Sequence, residues 1–399
     1  MRVTACAAKA GCGTHGRLDD TMTQQFKETT FIHAVCEGSA YDVGRMQGEI
    51  IQQIPPLKQW MCSQAEHAPT GDAAAVMKQY DRFCPGLNEE LQGCADALGA
   101  PVAQIVYYLE SFLRVTHCSH FAALPSITAN KHLLIGRNYD FNDTMDDMTI
   151  FSTRVSGKAA HVGTSSLWFG RNDGLNEHGF AVTMSAGSVP PVGRFPGMTP
   201  PIQDGFMFWA LVRTLLDQCK TVNDALKLID EFPCCGNPAL ILADRQGTAA
   251  VVEIWGANHA VKQINAASAE QFLCATNHFT LPEIAPFAPY QMRHSKTRYD
   301  TITSRLRQAA PNITPETMRS LLSEPYPAGL CAHYYEEYFG TLHSMILDVT
   351  TGVAEVCFGS PHVNIWRTFD PLHPAASGEF AVTLPIEHPT PDFWERLPL

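Results

Sequence analysis

Apolar residues along this chain change period close to residue 117. Upstream, from Tyr41 to Gln64, they recur at helical spacing, broken at Pro55 and Pro56, where neither backbone nitrogen can donate a hydrogen bond. Asn88 to Leu98 and Val102 to Leu113 read as two more helices, divided by Gly99 and Pro101. A short strand, Phe31 to Val35, precedes them, and residues 1–30 mix Ala, Gly, Thr and charge without period, as a mobile tail does. The first 115 residues are thus expected to be mostly helical.

Downstream, the pattern is that of strands. Cys118 to Leu124 and Leu133 to Tyr139 flank turn formers between Pro125 and Asn130, the signature of a hairpin. A turn centred near Thr128 sets position 118 opposite about position 138, which brings Arg137 and Asp140 beside the first residue of the strand. Further strands are expected at Ser166 to Phe169, Phe180 to Ser185, Ala239 to Ala243, Ala249 to Trp255, Phe272 to Ala275, His343 to Leu347 and Ala354 to Phe358. Helices are expected at Gly205 to Cys219, Val222 to Phe232 (capped by Thr221 with Asp224), Tyr290 to Gln308, and Pro315 to Ser323 with Thr314 as cap. Pro190 to Pro201 reads as a loop, either a plain surface excursion or one that crosses over a pocket. Strands in blocks alternating with helix pairs imply an α+β protein, with helical layers over two packed antiparallel sheets.

Composition narrows the functions open to such a fold. With 45% hydrophobic and 17% charged residues in 399, the chain has apolar surface enough for a packed core in one or two domains. A formal charge of −12 repels phosphate backbones and anionic membranes, so neither nucleic acid nor a membrane is an expected partner. No stretch approaches the roughly 20 apolar residues that cross a bilayer. The thirteen cysteines form no CxxC pair and nothing at the start resembles an export signal, which points to reduced thiols in a cytoplasm; an organelle such as the peroxisome is compatible.

Among those cysteines, Cys118 stands apart because it opens a strand whose return partner carries Arg137, and a guanidinium favours the nucleophilic thiolate. By itself the signal is weak, since an inert buried thiol is the ordinary fate of a free cysteine. The surrounding motifs add to it. C-S-H-F-A-A (118–123) followed by G-R-N-Y-D-F (136–141) resembles the nucleophile hairpin of N-terminal-nucleophile cysteine amidases, shared by the peptidase C45 group, with its acyl-CoA:6-aminopenicillanic acid acyltransferases, and by the choloylglycine hydrolase and penicillin V acylase group. D-G-L-N-E-H-G (173–179), A-T-N-H-F (275–279) and S-K-T-R-Y (295–299) continue the likeness in the same order, and G-S-A-Y-D-V-G-R-M-Q-G (38–48) is similar to the pro-segment of the C45 branch.

The resemblance implies a four-layer αββα sandwich over residues 118–399, preceded by a helical pro-segment over 31–117. It further implies self-cleavage between His117 and Cys118, after which the two fragments stay together as a heterodimer. A chain beginning at Cys118 has a free α-amine of pKa about 7.7 to 8.0, suited to take the thiol's proton and return it to a leaving amine. Carried over residue by residue, Asp140 orients that amine and Arg137 lies beside the sulfur. Asn277 and Asn176 line the oxyanion hole, the former through its side chain and the latter through its backbone, and Arg298 supports the charge arrangement. The alternatives are an Arg and Asp pair pinning a turn, a turn asparagine at Asn176 beside Gly174, and a solvated helical arginine. His117 departs from the glycine that relatives of the fungal type often carry before the nucleophile. Its imidazole is placed either to assist proton transfer during cleavage or to hinder processing.

The expected substrates are small acyl amides or acyl thioesters, with hydrolysis of a linear amide first and acyl transfer second; no cofactor or metal is implied, and acyl-CoA would enter as a substrate. A papain-like mechanism needs a separate base such as His278 or His333, but no papain or caspase signature surrounds Cys118. Metal binding lacks HExxH and CxxC spacing. An unprocessed binding protein on the same fold is the non-enzyme alternative.

Overall fold

The computed structural model describes residues 25–63, 73–111, 116–187, 202 and 204–399. Its longest strand, β1 (Gln25–Gly38), runs well beyond the short strand expected and begins inside the stretch read as a tail. Long-range pairing is the reason: β1 lies antiparallel to β18 (Gly378–Ile386), Phe31 opposite Phe380, and parallel to β4 (Thr149–Val155), Ile32 opposite Thr149. Residues 1–24 of the expected tail and the expected loop at 190–201 lie outside the described residues.

Two sheets form the body. In the first, β1 and its two neighbours continue through β5 (His161–Ser166), β7 (Asp173–Asn176), β8 (Ala181–Ala186), β9 (Pro238–Ala243), β10 (Ala249–Trp255) and β11 (Asn258–Ile264), with β6 (Gly170–Arg171) attached to β5. The second runs β12 (Phe272–Ala275), β2 (His117–Ala123), β3 (Leu134–Phe141), β15 (Phe339–Asp348), β16 (Val353–Phe358) and β17 (Trp366–Phe369), with β14 (His333–Tyr334) on β15. A small ribbon pairs β13 (Tyr290–Met292) with β19 (Arg396–Pro398).

Three apolar layers hold these sheets in register. Ala122, Ile135, Val162, Leu175, Ile241 and Val356 fill the space between them. On the far side of the first sheet, Phe151, Val182 and Leu240 pack under α1 (Ala40–Gln52), α4 (Leu87–Leu98), α5 (Val102–Ser111), α6 (Phe208–Gln218) and α7 (Val222–Glu231), the last two contributing Leu211, Leu215 and Ala225. Phe121, Leu134 and Ile346 on the far side of the second sheet meet Ile302 and Leu306 of α8 (Arg293–Ala309) and Met318 and Leu322 of α9 (Pro315–Ser323). The order is helix, sheet, sheet, helix: an αββα sandwich of α+β class. The remaining helices, α2 (Pro55–Ser63) and α3 (Ala73–Phe83), flank α5.

Because both faces of β2 are covered, all seven of its residues are buried, His117, Ser119 and His120 among them. Successive side chains still alternate: Cys118 and Ala122 belong to the inter-sheet layer, Phe121 and Ala123 to the layer under α8 and α9.

Local signals set the helix starts. Ser39 and Asp42 form a reciprocal capping box on α1, Thr221 and Asp224 another on α7, and Thr314 caps α9 with Pro315 in its first turn. Gly44 in the upstream motif is a packing glycine, since a Cβ there would sit 1.7 Å from the Glu90 carbonyl oxygen of α4. Two expectations fail locally. Ser166 to Phe169 is the end of β5 followed by a tight turn in which Leu167 and Trp168 have φ of 59° and 66°. The helix expected from Tyr290 starts at Arg293, because Tyr290–Met292 is taken by β19.

Candidate active site

The β2–β3 hairpin pairs Cys118 with Tyr139, His117 with Asp140 and His120 with Arg137, one residue from the register read in the sequence. Alternation then divides the chemistry between the two faces of the sheet. On the inner face, Arg137 Nη2 lies 3.4 Å from the Cys118 sulfur. The same guanidinium donates to the Asn172 carbonyl (2.9 Å) and pairs with Asp173 (2.9 Å), which His343 holds at 2.9 Å and the Thr164 hydroxyl at 2.6 Å. His120, two residues on, reaches Thr183 (2.7 Å) and Ser185 (3.1 Å) on β8.

On the outer face, Asp140 Oδ1 accepts from the Thr341 hydroxyl at 2.6 Å, while Oδ2 has no hydrogen-bond partner and lies 3.6 Å from Arg298. Arg298 sits on the buried stripe of α8 formed by His294, Arg298, Ile302 and Leu306, so it is not the solvated helical arginine of the alternative reading. Its guanidinium donates to the Cys118 carbonyl (2.7 Å) and to Asn277 Oδ1 (2.6 Å).

Asn277 follows β12. Its Oδ1 also accepts from the Cys118 backbone N–H (3.2 Å), and its Nδ2 donates to the carbonyls of Ala186 (2.9 Å) and Thr116 (3.4 Å). Ser295 fixes it from α8 by accepting its backbone N–H at 2.8 Å. Cys118, Arg137, Asp140, Asn277 and Arg298 therefore converge from two strands, one strand end and one helix.

Asn176 does not join them. Its backbone N–H donates to the Phe180 carbonyl (2.9 Å) and its amide to the carbonyls of Leu216 (3.0 Å) and Cys219 (2.8 Å), which leaves no donor for an oxyanion. The turn reading is the correct one: Asn176 closes the β7–β8 turn and ties down the end of α6.

Burial sets the protonation of the cluster. It pushes the Cys118 thiol up, against Arg137, which pulls it down. It raises Asp140 to about 6, with Arg298 and Thr341 opposing. Burial acts the same way on Asp173, but Arg137 and His343 outweigh it and hold that carboxyl well below its usual range. His117 is pushed down to about 3 by burial and by Arg298, so its imidazole is neutral near pH 7 and is not an imidazolium acid.

No histidine among the described residues contacts the sulfur, whose side-chain partners are Arg137 and, at 3.7 Å, Thr116. His278 bonds with Ser295 (2.8 Å) and His333 with Ser360 (2.8 Å), so neither papain-type candidate reaches it. Thr116, Asp173, Ser295, Thr341 and His343 escaped sequence reasoning. Asp173 and Ser295 lie inside the quoted motifs, but only tertiary contacts reveal what they hold.

Residues 127–363 match the family described as acyl-coenzyme A:6-aminopenicillanic acid acyl-transferase, a span that starts downstream of Cys118 and includes Arg137, Asp140, Asn277 and Arg298. No curated protein matches the chain. Among solved structures, penicillin V acylase from Agrobacterium tumefaciens is similar at 18% identity and a TM-score of 0.42, over 63% of this chain and 86% of that one. The Caenorhabditis elegans ortholog of N-acylethanolamine-hydrolyzing acid amidase is similar at 14% identity and 0.40, over 58% and 93%. A mutant of conjugated bile acid hydrolase from Clostridium perfringens is similar at 11% and 0.42, over 67% and 96%. No helix among the described residues is long and apolar enough to cross a membrane.

Proposed function

The chain belongs to the acyl-coenzyme A:6-aminopenicillanic acid acyl-transferase family, and from that premise we propose that it is a self-processing amidase or acyltransferase whose nucleophile is Cys118. The observation that carries this reading is that the Cys118 backbone N–H, sulfur and carbonyl each have a dedicated partner in Asn277, Arg137 and Arg298, while the nearby buried Asp140 Oδ2 lacks a hydrogen-bond donor. A buried carboxylate oxygen without a donor is costly, and a newly freed ammonium at Cys118 would relieve it.

Maturation begins with attack of the Cys118 sulfur on the His117 carbonyl carbon. The C–S bond forms, the C–N bond breaks, and the thiol proton ends on the liberated α-amine. Water then cleaves the thioester, returning the thiol and leaving His117 as a carboxyl terminus. In turnover the amine takes the thiol proton, the thiolate adds to the substrate carbonyl, and Asn277 Nδ2 donates to the oxyanion. The amine then protonates the leaving group, and water or an acceptor amine resolves the acyl-enzyme. Thr116, whose carbonyl occupies one Nδ2 hydrogen in the uncut chain, lies on the segment that the cut frees.

Processing would leave residues 1–117 held to residues 118–399, because β1 is an interior strand and Glu90 of α4 makes a two-pronged buried pair with Arg213 of α6 (3.3 and 3.0 Å). The substrate is a small acyl amide, and no cofactor is needed. Acyl transfer from a thioester such as acyl-CoA is the second reading, favoured by the family's description. Eleven free cysteines among the described residues suit a reducing compartment such as the cytoplasm. Mass spectrometry of acid-quenched protein with a slow anilide substrate tests the chemistry: the acyl mass belongs on the peptide that begins at Cys118. An adduct on another residue, or undiminished turnover in Cys118→Ala, would overturn the assignment.

A further inference from the structure

Strand β15 supplies one side chain to each face of the site, and it does so across an irregularity. His343 lies opposite Tyr139 and Thr341 opposite Asp140, so the two partners are adjacent while Leu342 between them has none. In an even strand, side chains two residues apart share a face; one extra residue sends them to opposite faces. The apolar layers agree. Leu342, Met345 and Leu347 belong to the inter-sheet layer with Tyr139, and Ile346 to the layer under α8 and α9. Leu342 and His343 thus both turn inward, and Thr341 turns outward.

On the outer face, the Thr341 hydroxyl accepts the Ala332 backbone N–H at 3.0 Å and donates to Asp140 Oδ1 at 2.6 Å. Its backbone is fixed as well, the N–H donating to the Ala332 carbonyl (2.8 Å) and the carbonyl accepting from the Tyr335 hydroxyl (3.0 Å). One carboxylate oxygen is thereby engaged, which leaves Oδ2, the oxygen without a donor, as the free acceptor. On the inner face, the His343 ring stacks on Tyr139 (centroids 4.7 Å apart, 11° between planes) and takes an edge contact from Phe31 of β1 (6.4 Å, 79°). That orientation aims Nε2 at Asp173 Oδ2, the same oxygen that pairs with Arg137 Nε. Thr164 holds the other oxygen through its hydroxyl and its backbone N–H (2.6 and 3.1 Å). Asp173 is held against rotation, and Arg137, tied to it and to the Asn172 carbonyl, has Nη2 left for the sulfur.

We propose that Thr341 and His343 are positioning residues for the nucleophile: Thr341 aims Asp140 Oδ2 at the nitrogen of Cys118, and His343, acting through Asp173, keeps the Arg137 guanidinium against its sulfur. This rests on the nucleophile assignment made above. Neither residue touches a reacting atom. A carboxylate with one oxygen pinned presents the other without having to find its orientation during the reaction, and an Asp173 anchored by His343 does not draw Arg137 off the thiolate. Groups of opposite sign must stand on opposite faces beside one residue, and the bulge lets a single strand set both. Beyond the burial that raises the Cys118 thiol, Arg137 lowers it and Asp140 raises it, so the two arms leave different signatures.

The test follows self-cleavage, which needs no substrate. Chain made by cell-free synthesis is moved into buffers from about pH 6 to 9, the span over which a thiol and an α-amine titrate, and the appearance of the 118–399 fragment is timed. His343→Phe keeps the stack on Tyr139 and deletes the donor. Its pH profile should move up by about one unit, which is about a tenfold lower rate at neutral pH. His343→Gln, which retains a donor, should restore most of that loss. Thr341→Val should slow cleavage about tenfold at every pH without the upward shift, and Thr341→Ser should recover it. Should His343→Phe not fold, Thr164→Val, which frees the other Asp173 oxygen, must show the same shift. A wild-type rate and profile in His343→Phe or Thr341→Val, or an equal loss in their conservative counterparts, overturns the positioning roles and leaves the proposed function standing. A wild-type chain that never cleaves, yet is active without Cys118, overturns both.

Discussion

Arg298 holds the Cys118 carbonyl and Asn277 Oδ1 at once, lies 3.6 Å from Asp140, and is itself fully buried. Removing it strands a buried carboxylate and two acceptors, so Arg298→Ala should cost about 3 to 5 kcal/mol, read from the urea midpoint. Asn277→Ala is a different experiment. It should lower kcat by about 100 to 1,000-fold if Asn277 serves the oxyanion, with a much smaller loss of stability. A variant that unfolds without a specific kinetic defect would make Asn277 a scaffold residue. These two positions were legible in the sequence as motif members, and Cys118, Arg137 and Asp140 as a hairpin cluster. Asn176 was misassigned because N-E-H-G fits a turn as readily as a site, and the carbonyls of Leu216 and Cys219 that claim its amide lie some forty residues away. Asp173 went unnoticed because nothing local marks it as the partner of Arg137.

At the level of elements, local signals performed best where one residue decides the geometry. Thr221 and Thr314 cap the expected helices, and β10 and β12 have the expected bounds. The hairpin centre falls between Thr128 and Ala129 and not on Thr128, which shifts each pair by one and moves Arg137 opposite His120. Long-range pairing was invisible: β1 needs β18 and β4, and β13 needs the last residues of the chain. The α1–α4 crossing offers a clean test. A Cβ at Gly44 or Gly93 would approach backbone oxygens of the facing helix to 1.7 and 2.1 Å. Either glycine to alanine should therefore cost about 1 to 3 kcal/mol by forcing the helices apart. An unchanged urea midpoint would show that the crossing is looser than described.

For the molecule as a whole, the four layers follow from apolar periodicity, but the depth at which polar groups are buried does not. His33, His117, His120, His161, His278, His294 and His333 are all pushed below the ordinary histidine range, burial being the first cause in each. The unfolded chain takes up protons on these rings near pH 6.5, while the folded chain does so only at lower pH. Their contribution to stability is therefore complete above about pH 6.5 and is lost as pH falls toward the folded values. Asp140, raised to about 6, and Glu110 and Glu253, also raised by burial, work in the opposite sense, but they are three groups against seven. The urea midpoint of uncleavable Cys118→Ala protein should fall between pH 7 and pH 4.5, and a rise would contradict the burial of these rings.

The proposed chemistry turns on whether a backbone cut creates the base. N-terminal sequencing of purified wild-type protein beside Cys118→Ala addresses that directly. The prediction is a second N-terminus reading Cys-Ser-His-Phe in wild type, with residues 1–117 co-purifying, and its absence in the variant. Fully active protein consisting of one uninterrupted chain would contradict it.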